Sequence, residues 1–127
     1  MKTVEVDLST FMECLRAYIV SARVRASTES ELHGYLHGAL DKQYGKLVRS
    51  EVRLTAADRI DFMVGRIGIE LKIKGSLSDV TRQLHRYAQS PDVDALLLVT
   101  TRMKLRHMPP TMNGKPVLVA VLIGRMF

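Results

Sequence analysis

The sequence predicts one α/β domain, and three observations carry that prediction. Two segments with helical periodicity come before residue 46, two β-rich runs then flank Gly65-Arg66, and a further helical segment separates that pair from two continuous apolar runs. Continuous apolar runs suit strands buried on both faces at the centre of a sheet. At 127 residues and 46% apolar composition, the chain can bury one core and has no room for a second full domain, since domains cluster near ~100–150 residues.

Taken in order, Leu8, Phe11, Met12, Leu15, Tyr18, Ile19 and Ala22 recur at helical spacing. With Asp7 or Ser9 as cap they predict an amphipathic helix over residues 8–24, serving as an added layer or as a dimer surface. Ser27-Thr28 followed by Glu29 and Glu31 is a second helix start; Leu32, Leu36, Ala39 and Leu40 form its apolar stripe, and Tyr44-Gly45 stops it. Leu47-Val48, Val52 and Leu54 predict a strand over residues 47–54. Arg59 to Val64 and Ile67 to Ile73 are two strands of a hairpin, because Gly at the first loop position suits a tight turn. Leu77, Val80, Leu84 and Tyr87 lie three or four apart and predict a helix from Ser76 to Ser90, with Pro91 just past its end. Asp94 to Thr100 reads as a buried central strand. Pro109-Pro110 and Asn113-Gly114 mark residues 102–116 as a basic loop, and Val117 to Ile123 as a final buried strand.

Charge divides the chain. Residues 1–45 hold five bases and six acids, a balance of −1, whereas residues 46–127 hold fourteen bases and seven acids, a balance of +7, so the positive charge belongs to the later part. A polyanion is the partner such a distribution suggests. Cys14 is the only cysteine, which excludes an internal disulfide and a Cys-based zinc site and points to a reducing, cytoplasmic setting. Lys2, Glu5 and Asp7 stand where a signal peptide would carry its apolar core, and no window approaches the ~18 apolar residues of a membrane span.

The chemistry-bearing residues follow from the hairpin's register. If it turns symmetrically about Gly65-Arg66, Val64 faces Ile67, Phe62 faces Ile69, and Asp61 faces Glu70. Cross-strand neighbours lie ~5 Å apart, and two like charges at that distance repel by roughly 3 kcal/mol at an effective dielectric near 20. A divalent cation offsets that repulsion; Mg²⁺ is typically held by one or two carboxylates, with water and phosphate oxygens completing its shell. Lys72 lies two residues beyond Glu70, on the same strand face, where an ammonium can orient a water or stabilise phosphate charge. Surface charge pairing along a solvent-facing ribbon is the alternative.

Asp61, a gap of eight residues, then Glu70-Leu71-Lys72 resembles the D…(D/E)xK signature of the PD-(D/E)XK nuclease superfamily, with Ile60 where the name has Pro. Gln83-Leu84-His85-Arg86-Tyr87 resembles the QxxxY motif of RecB-like members. The acidic start of the second helix resembles the segment that supplies an extra metal-binding Glu in Holliday-junction resolvases and RecB-like exonucleases. The resemblance covers residues 27–101 and implies a restriction-endonuclease-like core of helix, three strands, helix and strand. Residues 1–26 would be an N-terminal helical extension, and residues 102–127 a basic loop and added C-terminal strand.

The resemblance implies roles position by position. Asp61, Glu70 and the Leu71 carbonyl would bind Mg²⁺ or Mn²⁺, Lys72 would position or activate the attacking water, and Gln83 would approach the same pocket. Tyr87 would pack or touch the substrate backbone. Glu29 precedes Leu32, Leu36 and Leu40 on the inward stripe and is the preferred helical metal ligand, while Glu31 points elsewhere; the alternative is that both only favour the positive end of the helix dipole. Lys74, Arg82, Arg86, Arg102, Lys104 and Arg106 would form a phosphate-tracking groove, or else solvated faces. His33 and His37 are spaced as zinc pairs often are, yet no further His/Cys pair completes a site. The function implied is a metal-dependent deoxyribonuclease leaving a 5′-phosphate, and the alternative is a non-catalytic nucleic-acid-binding module on the same fold. So small a chain would act as a homodimer or within a larger complex, with the first helix as the candidate contact.

Overall fold

The computed structural model describes residues 7–22 and 26–122. Helix α1 spans Leu8–Ser21, capped by Asp7, whose carboxylate accepts from the Thr10 amide at 2.8 Å. It is shorter than its periodicity predicts: Ala22 is already extended, and residues 23 and 24 lie outside the described residues. Helix α2, Glu29–Tyr44, starts where the cap signal places it. Thr28 Oγ1 accepts from the Glu31 amide at 3.1 Å, and Gly45 ends the helix at φ 53°, a backbone conformation that glycine adopts without steric cost.

A 3₁₀ turn over Gly45–Leu47 takes Leu47 out of the expected first strand, so β1 is Val48–Arg53. Strands β2, Arg59–Val64, and β3, Ile67–Lys72, form the hairpin. Gly65 has φ 58° while Arg66 does not enter the left-handed region, the pattern of a II′ turn. Helix α3, Leu77–Tyr87, is capped by Ser76 and gives way to a turn over residues 88 and 89, so it ends three residues before Ser90. Strand β4 is Ala95–Thr100, every residue of it buried.

The predicted basic loop is more ordered than its prolines suggest. Met103–His107 forms a 3₁₀ helix, and Asn113-Gly114 turns a small hairpin between β5, Thr111–Met112, and β6, Lys115–Val121. Asn113 and Gly114 have φ 52° and 72°, which fits the Asn-Gly preference of such turns. The final strand therefore begins two residues before Val117, and Ile123 lies outside the described residues.

The six strands form one mixed sheet in the order β1-β2-β3-β4-β6-β5, with β3, β4 and β6 parallel at its centre. Helices α1 and α2 cover one face, burying Leu15, Ile19, Leu32, Leu36 and Leu40 against Phe62, Val64, Ile69, Leu71, Leu97 and Val99. Helix α3 and the 3₁₀ helix cover the other, burying Val80, Leu84, Tyr87 and Leu105 against Met63, Leu96 and Leu98. Because α1 lays Met12, Leu15 and Ile19 on its own sheet, its apolar stripe makes it an added layer, one of the two uses expected for it. Among the described residues, no helix is long and apolar enough to cross a membrane.

One departure from regular pairing positions everything that follows. The β2–β3 ladder runs Val64/Ile67, Met63/Gly68, Phe62/Ile69 and then stops, while β1–β2 pairing continues to Arg53/Arg59. The far end of the β1–β2 ribbon thus parts from β3 and curls toward α3. Side-chain direction records the curl: Phe62 belongs to the α1–α2 core, whereas Ile60, two residues away and nominally on the same face, packs in the α3 core with Val52.

Candidate active site

Asp61 and Glu70 stand at the mouth of the fork between β2 and β3. Where the backbone ladder stops, their carboxylates take over its hydrogen bonds: the Asp61 amide donates to Glu70 Oε1 at 3.1 Å, and the Leu71 amide donates to Asp61 Oδ2 at 2.8 Å. Each strand's exposed N–H is thereby satisfied by the opposite strand's side chain, which fixes both carboxylates. The register read from the turn brings the two acids together as expected.

Glu70 lies on the α3 face and is only 4% exposed. Its Oε2 accepts from Gln83 Nε2 at 3.2 Å and lies 3.3 Å from the Tyr87 hydroxyl and 3.6 Å from Lys72 Nζ. Gln83 also donates to the Tyr87 hydroxyl at 2.7 Å, and that hydroxyl reaches the Arg59 carbonyl at 3.2 Å. Burial, and after it the negative charge of Asp61, pushes the Glu70 carboxyl up to about 8 against the opposing pull of Lys72. Tyr87 is raised as well, by burial first and then by the charge of Glu70. The helix after the hairpin thus supplies two side chains to one carboxylate, because Gln83 and Tyr87 are four residues apart and share a face. At 2% exposure, Tyr87 takes the packing role of the two expected for it, and not the contact with DNA.

Glu29 and Glu31 separate as the stripe suggests. Glu31 Oε1 accepts from Ser27 Oγ at 3.0 Å within the helix cap, whereas Glu29 Oε1 accepts from the Ile73 amide at 3.3 Å, at the end of β3. Glu29 approaches from the α2 side of the sheet, while Glu70 and Lys72 lie on the α3 side. Among the described residues, no three His, Cys, Asp or Glu side chains gather as a metal-holding group, so Glu29 does not complete a three-carboxylate cluster with Asp61 and Glu70.

The two carboxylates still suit a divalent cation. Asp61 is half-buried and uses Oδ2 for the Leu71 amide. Burial first and the charge of Asp61 second hold the Glu70 carboxyl above the usual carboxylate range, and a cation placed between the two acids would oppose both. Asp61, Glu70 and the Leu71 carbonyl are the groups that could hold Mg²⁺ or Mn²⁺, as the motif implies.

The basic residues divide around α3. Arg82 and Arg86 share the side of the helix that adjoins Gln83; Arg82 pairs with Asp79, and Arg86 Nε lies 3.2 Å from Asp58 Oδ1. Lys74 is exposed in the turn between β3 and α3, where Arg102 Nη1 donates to the Gly75 carbonyl at 3.3 Å. Lys104 and Arg106 belong to the 3₁₀ helix, which packs on both β6 and α3 and is followed by Met108, whose sulfur meets the Thr81 hydroxyl. A groove of about 620 Å³ runs between the outer face of α3 and the β5–β6 hairpin, lined by Arg82, His85, Arg86 and Met112 but not by Asp61, Glu70 or Lys72. His33 and His37 pack on Phe62 with ring centroids 4.4 and 5.6 Å away, on the α2 side and apart from Glu70.

Asp58 escaped the sequence reading. It ties the curled ribbon to α3 through Arg86, and its only local signal is Thr55, whose Oγ1 accepts from the Asp58 amide at 3.0 Å. No family model, curated protein or solved structure matches the chain.

Proposed function

We propose that this chain is a metal-dependent deoxyribonuclease of the PD-(D/E)XK type, hydrolysing DNA phosphodiester bonds at Asp61, Glu70 and Lys72. The observation that carries the reading is the fork itself, where Glu70 accepts from the Asp61 amide and Asp61 from the Leu71 amide, with an ammonium 3.6 Å from Glu70 and Gln83 hydrogen-bonded to it. An arrangement that only balanced surface charge would not bury Glu70 to 4% exposure or surround it with Gln83 and Tyr87.

In this reading Asp61 and Glu70, with the Leu71 carbonyl, hold Mg²⁺ or Mn²⁺. The cation when bound supplies electrostatic stabilisation of the phosphate and of the attacking and departing oxygens. Lys72 orients the attacking water and offsets developing negative charge. Gln83 and Tyr87 hold Glu70 Oε2 in place, and Arg82, Arg86 and Lys74 receive the flanking phosphates. A homodimer or a larger complex would supply the DNA-recognition surface that so small a chain lacks.

A second reading, a nucleic-acid-binding module without cleavage, draws on the missing third carboxylate. Cleavage assays on labelled single-stranded, duplex, flap and four-way-junction DNA separate the two. With Mn²⁺ or Mg²⁺ present, wild-type protein should cut and EDTA should stop it. Glu70→Gln and Lys72→Ala should slow cleavage by at least about a hundredfold while DNA binding survives. Binding without cleavage of any substrate supports the module, and cleavage untouched by both substitutions places the chemistry elsewhere.

A further inference from the structure

We infer that Glu51 is a positioning residue for the fork: its left-handed backbone, rather than its carboxylate, directs the Asp61 side chain toward β3. The inference rests on reading Asp61 and Glu70 as the reactive pair.

Three observations carry it. The β1–β2 ladder pairs Arg49/Met63 and Ser50/Phe62 on one side and Val52/Ile60 and Arg53/Arg59 on the other, so neither strand gains a residue, yet Glu51 and Asp61 between them are unpaired. Glu51 has φ 50° in the middle of a strand. The other non-glycine residue with positive φ among the described residues is Asn113, in a tight turn that suits it. Finally, side chains change faces across this row, since Val48 packs with the α1–α2 core and Val52 with the α3 core.

Together these describe a crease across β1 and β2 along the line from Glu51 to Asp61. In a regular strand the Asp61 side chain would stand perpendicular to the sheet. At the crease it lies along the sheet instead, where Oδ2 reaches the Leu71 amide at 2.8 Å. The Glu51 side chain is exposed and makes no hydrogen bond or ion pair among the described residues, so the backbone conformation is what it contributes. Such conformations persist only when their surroundings hold them, and here Asp58–Arg86 and the Tyr87–Arg59 hydrogen bond fasten the ribbon beyond the crease to α3.

The experiment compares Glu51→Gly with Glu51→Val. Amide hydrogen exchange is measured at Asp61 and Leu71, with Val64 and Ile67 as ladder controls, alongside thermal melting and Mn²⁺-dependent DNA cleavage. Glycine accepts the left-handed backbone, so Glu51→Gly should keep both amides protected, melt no lower than wild type and cleave within about twofold of it. Valine resists that backbone, so Glu51→Val should exchange at least about tenfold faster at Asp61 and Leu71 alone and cleave about a hundredfold more slowly. Loss of protection or cleavage in Glu51→Gly would mean that the carboxylate acts and would overturn the inference, as would retention of protection in Glu51→Val. If Glu51→Val does not fold, Glu51→Gly decides: an ordinary strand glycine lowers the melting temperature, and such a drop would refute the left-handed role. Should the wild type cut no DNA, the nuclease reading fails while the exchange comparison still decides the part played by Glu51.

Discussion

Glu70 is where burial and chemistry meet most directly. Its carboxyl titrates near 4.5 when free and is pushed up to about 8 in the fold, by burial first and by Asp61 second. Between those values the folded chain binds more protons than the unfolded chain, so this residue's contribution makes stability fall as pH rises; the cost is absent below about 4.5 and complete above about 8. Its size is of the order of a few kcal/mol. In EDTA, the melting temperature of the wild type should therefore fall relative to Glu70→Gln between about pH 5 and pH 8.5. Equal pH profiles for the two proteins would remove the buried charge from the account. Since a cation binds the ionised form, the Mn²⁺-induced rise in melting temperature should also be larger near pH 8 than near pH 6. The spacing of Asp61, Glu70 and Lys72 made this trio legible in the sequence. Asp58 and Glu51 were not, because an ordinary surface acid and a strained one look alike when written as letters.

Among elements, the fork depends on the β1–β2 ribbon curling over β3, and Gly68 is the point of closest approach. A Cβ built there would lie 2.5 Å from Ile60 Cδ1 and 3.1 Å from Leu96 Cδ2. Both neighbours are fully buried, so Gly68→Ala should destabilise by about 1–3 kcal/mol through overpacking. Ile60→Val removes the nearer methyl, and in the Gly68→Ala background it should recover part of the loss. Urea melts of the four proteins in that cycle give the coupling, and purely additive effects would mean that the two side chains do not meet. Element ends were read well where a local signal sets them: Thr28 and Gly45 bound α2, and Gly65 sets the hairpin's register. They were read poorly at Ser90 and at residues 102–116, where helix termination and the β5–β6 hairpin depend on contacts between distant segments. Asn113 Nδ2 donates to the Ala88 carbonyl at 3.1 Å and Lys115 Nζ to the Ser90 carbonyl at 2.8 Å, so each segment shapes the other.

For the whole molecule, the sheet separates two surfaces, and the expected phosphate contacts fall on one of them. Arg82 is exposed and pairs with the equally exposed Asp79, and such surface pairs are worth only ~0–1 kcal/mol, so it yields readily to phosphate; Arg86 is exposed too but pairs with the largely buried Asp58. DNA affinity should fall steeply with salt, and charge reversal at Lys74, Arg82 and Arg86 should lower the log–log salt slope by roughly one unit per residue. Reversal at Lys104 and Arg106, on the 3₁₀ helix that packs on β6 and α3, should change it less; equal effects would mean that DNA follows the 3₁₀ helix instead. The amino-acid sequence by itself determined the helices, the hairpin and the meeting of Asp61 with Glu70, because caps, turns and two-residue alternation act within a few residues of chain. Tertiary structure alone decided the rest: that α3 turns the Tyr87 hydroxyl onto Glu70, that β6 runs beside β4, that Glu29 reaches Ile73 from the opposite face, and that the sheet creases at Glu51. Those outcomes join segments far apart in the chain, and they are settled by which apolar faces can be buried together, a condition that no local pattern expresses.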